Sequence, residues 1–226
     1  MIHKGERQSA ERRILTMMGE RVQLFGFNPR PSGQSFYHDF ESGKWALHVS
    51  FIPHKNDMDL TADVAIRINA VEDIVNKYDT KRTPAEKRRS MTVGGELGNI
   101  SVGRPLRWTL PDLGDALKIC DQMLDAFEKI GLPFLRAYSD VAAVHQVLTS
   151  SSPRATLLAP VSGSRYMRAV ASAHVLGATS DTGRLINRFE AELLEEKDPY
   201  LDDFRALCHG LQPKPVEGPM GSAVAQ

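Results

Sequence analysis

The sequence predicts an α+β protein: an antiparallel sheet of about five strands packed with helices, followed by a mainly helical C-terminal region. Three observations predict it. Period-two alternation dominates residues 34–110, helical periodicity takes over at Pro111, and the apolar residues on either side of a tight turn agree on one hairpin.

From Ser9 to Phe25, Ile14, Leu15, Met18, Val22 and Phe25 recur at helical spacing behind a Ser9 cap. Gly26 to Gly33, with two prolines, reads as a loop. The hairpin then runs from Gln34 to Ile52. With Ser42-Gly43 as the turn, Glu41 faces Lys44, Phe40 faces Trp45, His38 faces Leu47 and Phe36 faces Val49. One face carries Phe36, His38, Phe40, Trp45, Leu47, Val49 and Phe51. The other carries Ser35, Tyr37, Asp39, Ala46, His48 and Ser50. A third strand follows at Ala62 to Asn69, then a short helix through Val71, Ile74, Val75 and Tyr78. Lys81 to Ser90 reads as a charged, exposed loop, and Met91 to Ser101 and Leu106 to Leu110 as two more strands.

Beyond Pro111 the stripe Leu113, Leu117, Cys120, Met123, Leu124, Phe127 and Ile130 predicts a helix capped by Asp112 and ended by Gly131 and Pro133. Further helices are expected at 139–148, 165–176, 181–196 and 199–211, with a break at 150–160. Ala169, Ala171, Ala173 and Ala178 suit close antiparallel packing of the 165–176 and 181–196 pair. The expected division is an α+β unit over 1–150, a helical extension over 151–211 and a disordered tail over 212–226.

Charge excludes little locally and much globally. Lys and Arg total 28, as do Asp and Glu, so no overall field favours nucleic acid or an anionic membrane. The first 110 residues carry 17 basic and 13 acidic side chains, so the two halves are of opposite sign. Cys120 and Cys208 both fall in helical patterns, which argues against a disulfide framework. With no long apolar stretch and a charged N-terminus, the cytoplasm is the expected compartment.

Gly26-Phe27, Phe36-Tyr37, Trp45, Gly94-Gly95-Glu96-Leu97-Gly98 before Trp108, and Leu132-Pro133-Phe134 together resemble an uncharacterised bacterial domain family of unknown function over roughly residues 9–150. The resemblance implies an α+β fold and brings no catalytic residue.

Four constellations bear on chemistry. On the polar hairpin face, Tyr37 opposite His48 with Asp39 diagonal to it would orient an imidazole as a general base for a small hydrolase; a merely solvated sheet face looks the same. His54, Asp57 and Asp59 in one loop could hold a hard cation, whereas His38 and His48 on opposite faces cannot share one. Lys81, Arg82, Lys87, Arg88 and Arg89 form a basic run able to meet phosphates, without an interleaved aromatic for stacking. The glycines at 94–98 lack a Walker A ending, and nothing after them reads as a helix, so close backbone approach explains them. No cofactor is implied. The expectation is a non-catalytic accessory or immunity-like protein that binds another protein, with self-association open, and with the hydrolase and the nucleic-acid binder as alternatives.

Overall fold

The structure, a computed structural model, describes residues 6–30 and 33–212. Its centre is a six-stranded antiparallel sheet in the order β1 (Asn28–Arg30), β2 (Ser35–Phe40), β3 (Gly43–Pro53), β4 (Met58–Ile68) and β5 (Val93–Glu96), with β6 (Trp108–Leu110) also paired to β4. The sixth strand is β1, inside the segment expected to be a loop; Pro29, which cannot donate to a ladder, sits on this edge as strand prolines do.

The hairpin forms, but two positions away from the expected register. Phe40 faces Gly43, His38 faces Trp45, Phe36 faces Leu47 and Ser35 faces His48, and the turn is Glu41-Ser42. The reason lies at Gly43. It is a strand residue pressed against β4, where a Cβ would stand 1.9 Å from the Arg67 carbonyl oxygen, so glycine is needed for close approach and not for the turn. A shift of two preserves both faces. Phe36, Leu47 and Val49 are buried as expected, with Leu60, Ala62, Val64 and Ile66 continuing the same face on β4. His38 is half-buried, stacked on Trp45 at 4.9 Å.

Helices pack on that apolar face. α1 (Arg7–Val22) buries Ala10, Ile14, Met18 and Val22, and its Gly19 lies against Phe36. Ser9 is within the helix, whose N-cap position is Glu6. After β4 come α2 (Asn69–Tyr78), α3 (Pro84–Arg89), then α4 (Leu97–Val102) beyond β5. Both α3 and α4 replace segments read as loop or strand. Thr83 and Glu86 close a reciprocal capping box with Pro84 in the first turn, and the Glu96 carboxylate accepts the Asn99 N–H.

The long helix after Pro111 starts as a 3-10 turn with Gly114 N–H donating to Asp112, as the cap predicted. α5 (Ala116–Ala126) runs through a π turn at Phe127–Gly131 into α6 (Leu132–Ala137), so Gly131 and Pro133 do not end it. The wider turn absorbs the proline's missing donor, and Gly131 fits against Val64 and Leu97. Leu117, expected in the stripe, is half exposed; Ala116 and Ile119 take its place inside.

Next come α7 (Val141–Thr149), α8 (Pro153–Leu158) in the expected break, α9 (Ser162–Val175), α10 (Thr179–Glu196) and α11 (Leu201–Leu211). α9 is buried on all sides from Gly163 to Ala173, between α7, α10, α11 and α2. One cluster of buried residues runs from Ala10 to Cys208. The tail from Pro213 to Gln226 lies outside the described residues.

Candidate functional site

The polar face of the sheet carries the site. Along β2 it presents Ser35, Tyr37 and Asp39, along β3 Lys44, Ala46 and His48, and along β4 Asp63, Ala65 and Arg67. α3 stands over the end nearest the β2–β3 turn. Between α3 and the sheet lies a cleft of about 790 Å³, lined by Gly33, Ser35, Tyr37, Asp39 and Lys44 on one wall and Ala85, Arg88, Arg89 and Met91 on the other.

Arg67 fixes that geometry. Its side chain is only 8% exposed, and it faces Lys44 across the ladder. Nη1 donates to Ser90 Oγ at 2.7 Å, to Ser90 O at 3.1 Å and to Lys87 O at 3.2 Å, which ties the end of α3 to the sheet. Nη2 reaches Asp73 at 2.9 Å and Nε reaches Asn69 Oδ1 at 3.0 Å. Lys87 Nζ donates to Asn76 O at 2.7 Å, locking the same helix to α2. The cleft walls are thus joined by charge-assisted hydrogen bonds around a buried guanidinium.

Two of the sequence's candidate groups meet here, each only in part. Tyr37 and Asp39 share the cleft with Arg88 and Arg89. His48 stands apart: its register partners are Ser35 and Asp63, whereas Asp39 faces Lys44 and Tyr37 faces Ala46. Four positions along β2 separate Asp39 from Ser35, about 13 Å at roughly 3.3 Å per residue. The expected Tyr37–His48–Asp39 triad is not assembled, because the register moved by two. Of the basic run, Lys81 is exposed, Arg82 turns in to Asp79 at 3.5 Å and to Ser164 Oγ at 3.3 Å, and Lys87 is held by Asn76. Only Arg88 and Arg89 face the cleft.

His48 belongs instead to a row Ser35–His48–Asp63–Glu96 crossing four strands. Ser35 Oγ donates its single proton to Gly33 O at 2.8 Å, so at 2.9 Å it accepts from His48 Nδ1–H. The imidazole is therefore not placed to take that proton. Burial raises the Asp63 carboxyl above its ordinary value, with Glu96 adding to the rise and His48 and Arg107 opposing it. Both Glu96 oxygens are engaged, by Asn99 N–H at 2.9 Å and Leu106 N–H at 3.0 Å. That carboxylate fills the start of α4, where an anion would otherwise sit, and Gly94 gives the close approach expected of it, 2.7 Å from Val64 O for an added Cβ.

At the far end of β3, His54 Nε2 lies 3.1 Å from Asp59, which also accepts from Thr109 at 2.7 Å. The Thr109 bond and then His54 hold the Asp59 carboxyl low against the opposing effect of burial. Asp57 supplies its backbone carbonyl to His54 N–H at 3.0 Å. Among the described residues no group of three His, Cys, Asp or Glu side chains is placed to hold a metal ion. Nor is any of their helices long and apolar enough to cross a membrane.

Comparison with protein-family models, curated proteins and solved structures finds no match.

Sequence reading passed over Arg67 and the ionic groups behind α3. Glu72, fully buried on α2, meets Arg168 of α9 at 2.6 Å. Asp203 of α11 accepts from Thr80 N–H and Oγ–H at 2.9 and 2.8 Å. A charged residue in the inward position of a strong amphipathic helix, as Glu72 is beside Val71 and Val75, was the available signal.

Proposed function

We propose that this chain acts by binding another protein, without catalysis, through the polar sheet face and the cleft beneath α3. The observation that carries this reading is a set of unspent charges on one rigid surface. Asp39, Lys44 and Arg88 make no ion pair or hydrogen bond among the described residues, and Arg89 has a 3.3 Å bond to Ala85 O and the carboxylate charge of Glu86 near it on the same helix. Charges left free on both walls of a cleft held by a buried arginine are suited to a partner's polar groups. The reactive groups point the same way. His48 Nδ1–H donates to a serine whose own proton is committed elsewhere, and burial pushes the Cys120 and Cys208 thiols up to about 11 and about 12, out of the thiolate range.

The test pairs affinity capture with an activity screen. A Lys44→Glu/Arg88→Glu/Arg89→Glu variant is expected to lose a protein that the wild type retains from native lysate and rebinds once purified. Equal retention by both ends the assignment of the surface. Turnover of any ester or phosphoester in a screen, lost on His48→Ala with the fold intact, ends the non-catalytic reading.

A further inference from the structure

The cleft's charge and size narrow the chemistry it recognises. Three cations, Lys44, Arg88 and Arg89, face one carboxylate, Asp39, and no ion pair joins any of these groups among the described residues. A ligand there meets a net positive surface with one carboxylate acceptor on the sheet wall. At about 790 Å³ the space far exceeds a bare anion and falls in the range of an organic ligand or a side chain with its flanking backbone. Two adjacent arginines offer forked donors that match an oxyanion with three acceptor oxygens better than a single carboxylate.

Resting on the reading of this cleft as a protein-binding site, we propose that it recognises a phosphorylated serine or threonine of the partner. The phosphate, carrying roughly −1.5 to −2 charges at neutral pH, is taken by Arg88 and Arg89 with Lys44 from the sheet wall. Tyr37 and Ser35 lie on the same wall, and Asp39, the cross-strand partner of Lys44, accepts from the ligand's backbone N–H groups. Because Arg67 already ties α3 to the sheet through Ser90 and Lys87, the two walls are in place before the ligand arrives. A nucleic-acid strand fits less well: Arg82 and Lys87 are turned inward, so the basic run offers one spot and no stripe along which a backbone could track.

The experiment is binding of the full chain to a degenerate peptide library with a fixed central phosphoserine, beside its unphosphorylated counterpart, O-phosphoserine, inorganic phosphate and a single-stranded oligonucleotide. The expected result is selection of phosphorylated peptides over unphosphorylated ones. Arg88→Ala and Arg89→Ala should each weaken this about tenfold or more, as loss of a charge-assisted hydrogen bond does, with unchanged thermal unfolding. Asp39→Asn should bind phosphate more tightly and the peptide less selectively. Equal retention of phosphorylated and unphosphorylated peptides overturns the proposal, as does binding of O-phosphoserine or oligonucleotide as tight as that of the best peptide. If no phosphate probe binds while the charge-reversed triple variant still loses its captured protein, this inference fails and the protein-binding reading stands. If capture is unaffected by charge reversal, that reading itself has failed.

Discussion

Arg168→Met tests the link between the sheet-bearing half and the C-terminal helices. Arg168 is 7% exposed and Glu72 fully buried; Nε donates to Oε1 at 2.6 Å, Nη2 to Oε2 at 3.4 Å, and Nη1 to Ser164 Oγ at 2.8 Å. Removing one partner of such a pair leaves an uncompensated charge and costs about 3–5 kcal/mol. For a chain of this length each kcal/mol moves the melting temperature by about 2–4 °C, so the drop should fall between about 6 and 20 °C. Burial alone would push the Glu72 carboxyl up. Arg168, by charge and hydrogen bond, with Ser90 and Arg67 assisting, outweighs it and holds the carboxyl below its ordinary value. A lowered carboxyl contributes stability that is present above its unfolded value and lost as pH falls through the folded one. In Arg168→Met burial acts unopposed by that partner, and the neutral acid is tolerated better at low pH. The deficit of the variant should therefore shrink between pH 7 and pH 4. Urea unfolding of wild type, Arg168→Met, Glu72→Gln and Glu72→Leu/Arg168→Met across that range measures it, with the double variant losing less than Arg168→Met alone. A loss under about 1 kcal/mol, the ceiling typical of exposed pairs, or one that does not change with pH, would refute the reasoning.

Other perturbations have equally definite outcomes. Gly43→Ala drives a Cβ into the Arg67 carbonyl and should cost about 3 kcal/mol or more by urea unfolding, the upper part of the single-substitution range. Trp45→Phe removes the 2.7 Å bond from the indole N–H to Ser139 Oγ, and Ser139→Ala removes the same bond from the other side. Each should cost about 1 kcal/mol and the pair clearly less than the sum, by double-mutant cycle. Thr83→Ala opens the capping box of α3 and should cost about 1 kcal/mol while weakening ligand binding in the cleft. Cys120 and Cys208 should resist an aromatic disulfide reagent at pH 8 in the native protein and react together once urea unfolds it; prompt native labelling would contradict their burial.

The sheet's sidedness was legible because side chains alternate with period two, and a register error of two leaves every residue on its own face. Pairing was not legible, since it depended on Gly43 meeting a carbonyl 24 positions away. That single misplacement is what joined His48 to Tyr37 and Asp39 on paper. α3 could have been read: Thr83-Pro84-Ala85-Glu86 is a cap, a first-turn proline and a capping-box acid in order, and the density of charge concealed it. α4 and the π turn had weaker local signals, because both answer to packing against β4. The convergence of Arg88 and Arg89 on Tyr37 and Asp39 required Arg67 to reach Ser90, a tertiary contact that no periodicity encodes.

β4 is paired with β3 over its whole length, while its other edge is shared by β6 at Met58–Leu60 and β5 at Asp63–Ile66. Thr92 completes that edge, its N–H bonding Ile66 O at 2.7 Å and its hydroxyl accepting from Ile68 N–H at 2.9 Å. Amide exchange in such a strand requires several neighbours to part together, so its protons should be among the last to exchange with solvent. Of the three segments that enclose β4, β3 is its hairpin neighbour, whereas β5 and β6 return from further along the chain. Its slow exchange would therefore report the opening of the whole molecule, giving a single observable against which the local opening of α3 and its cleft can be timed.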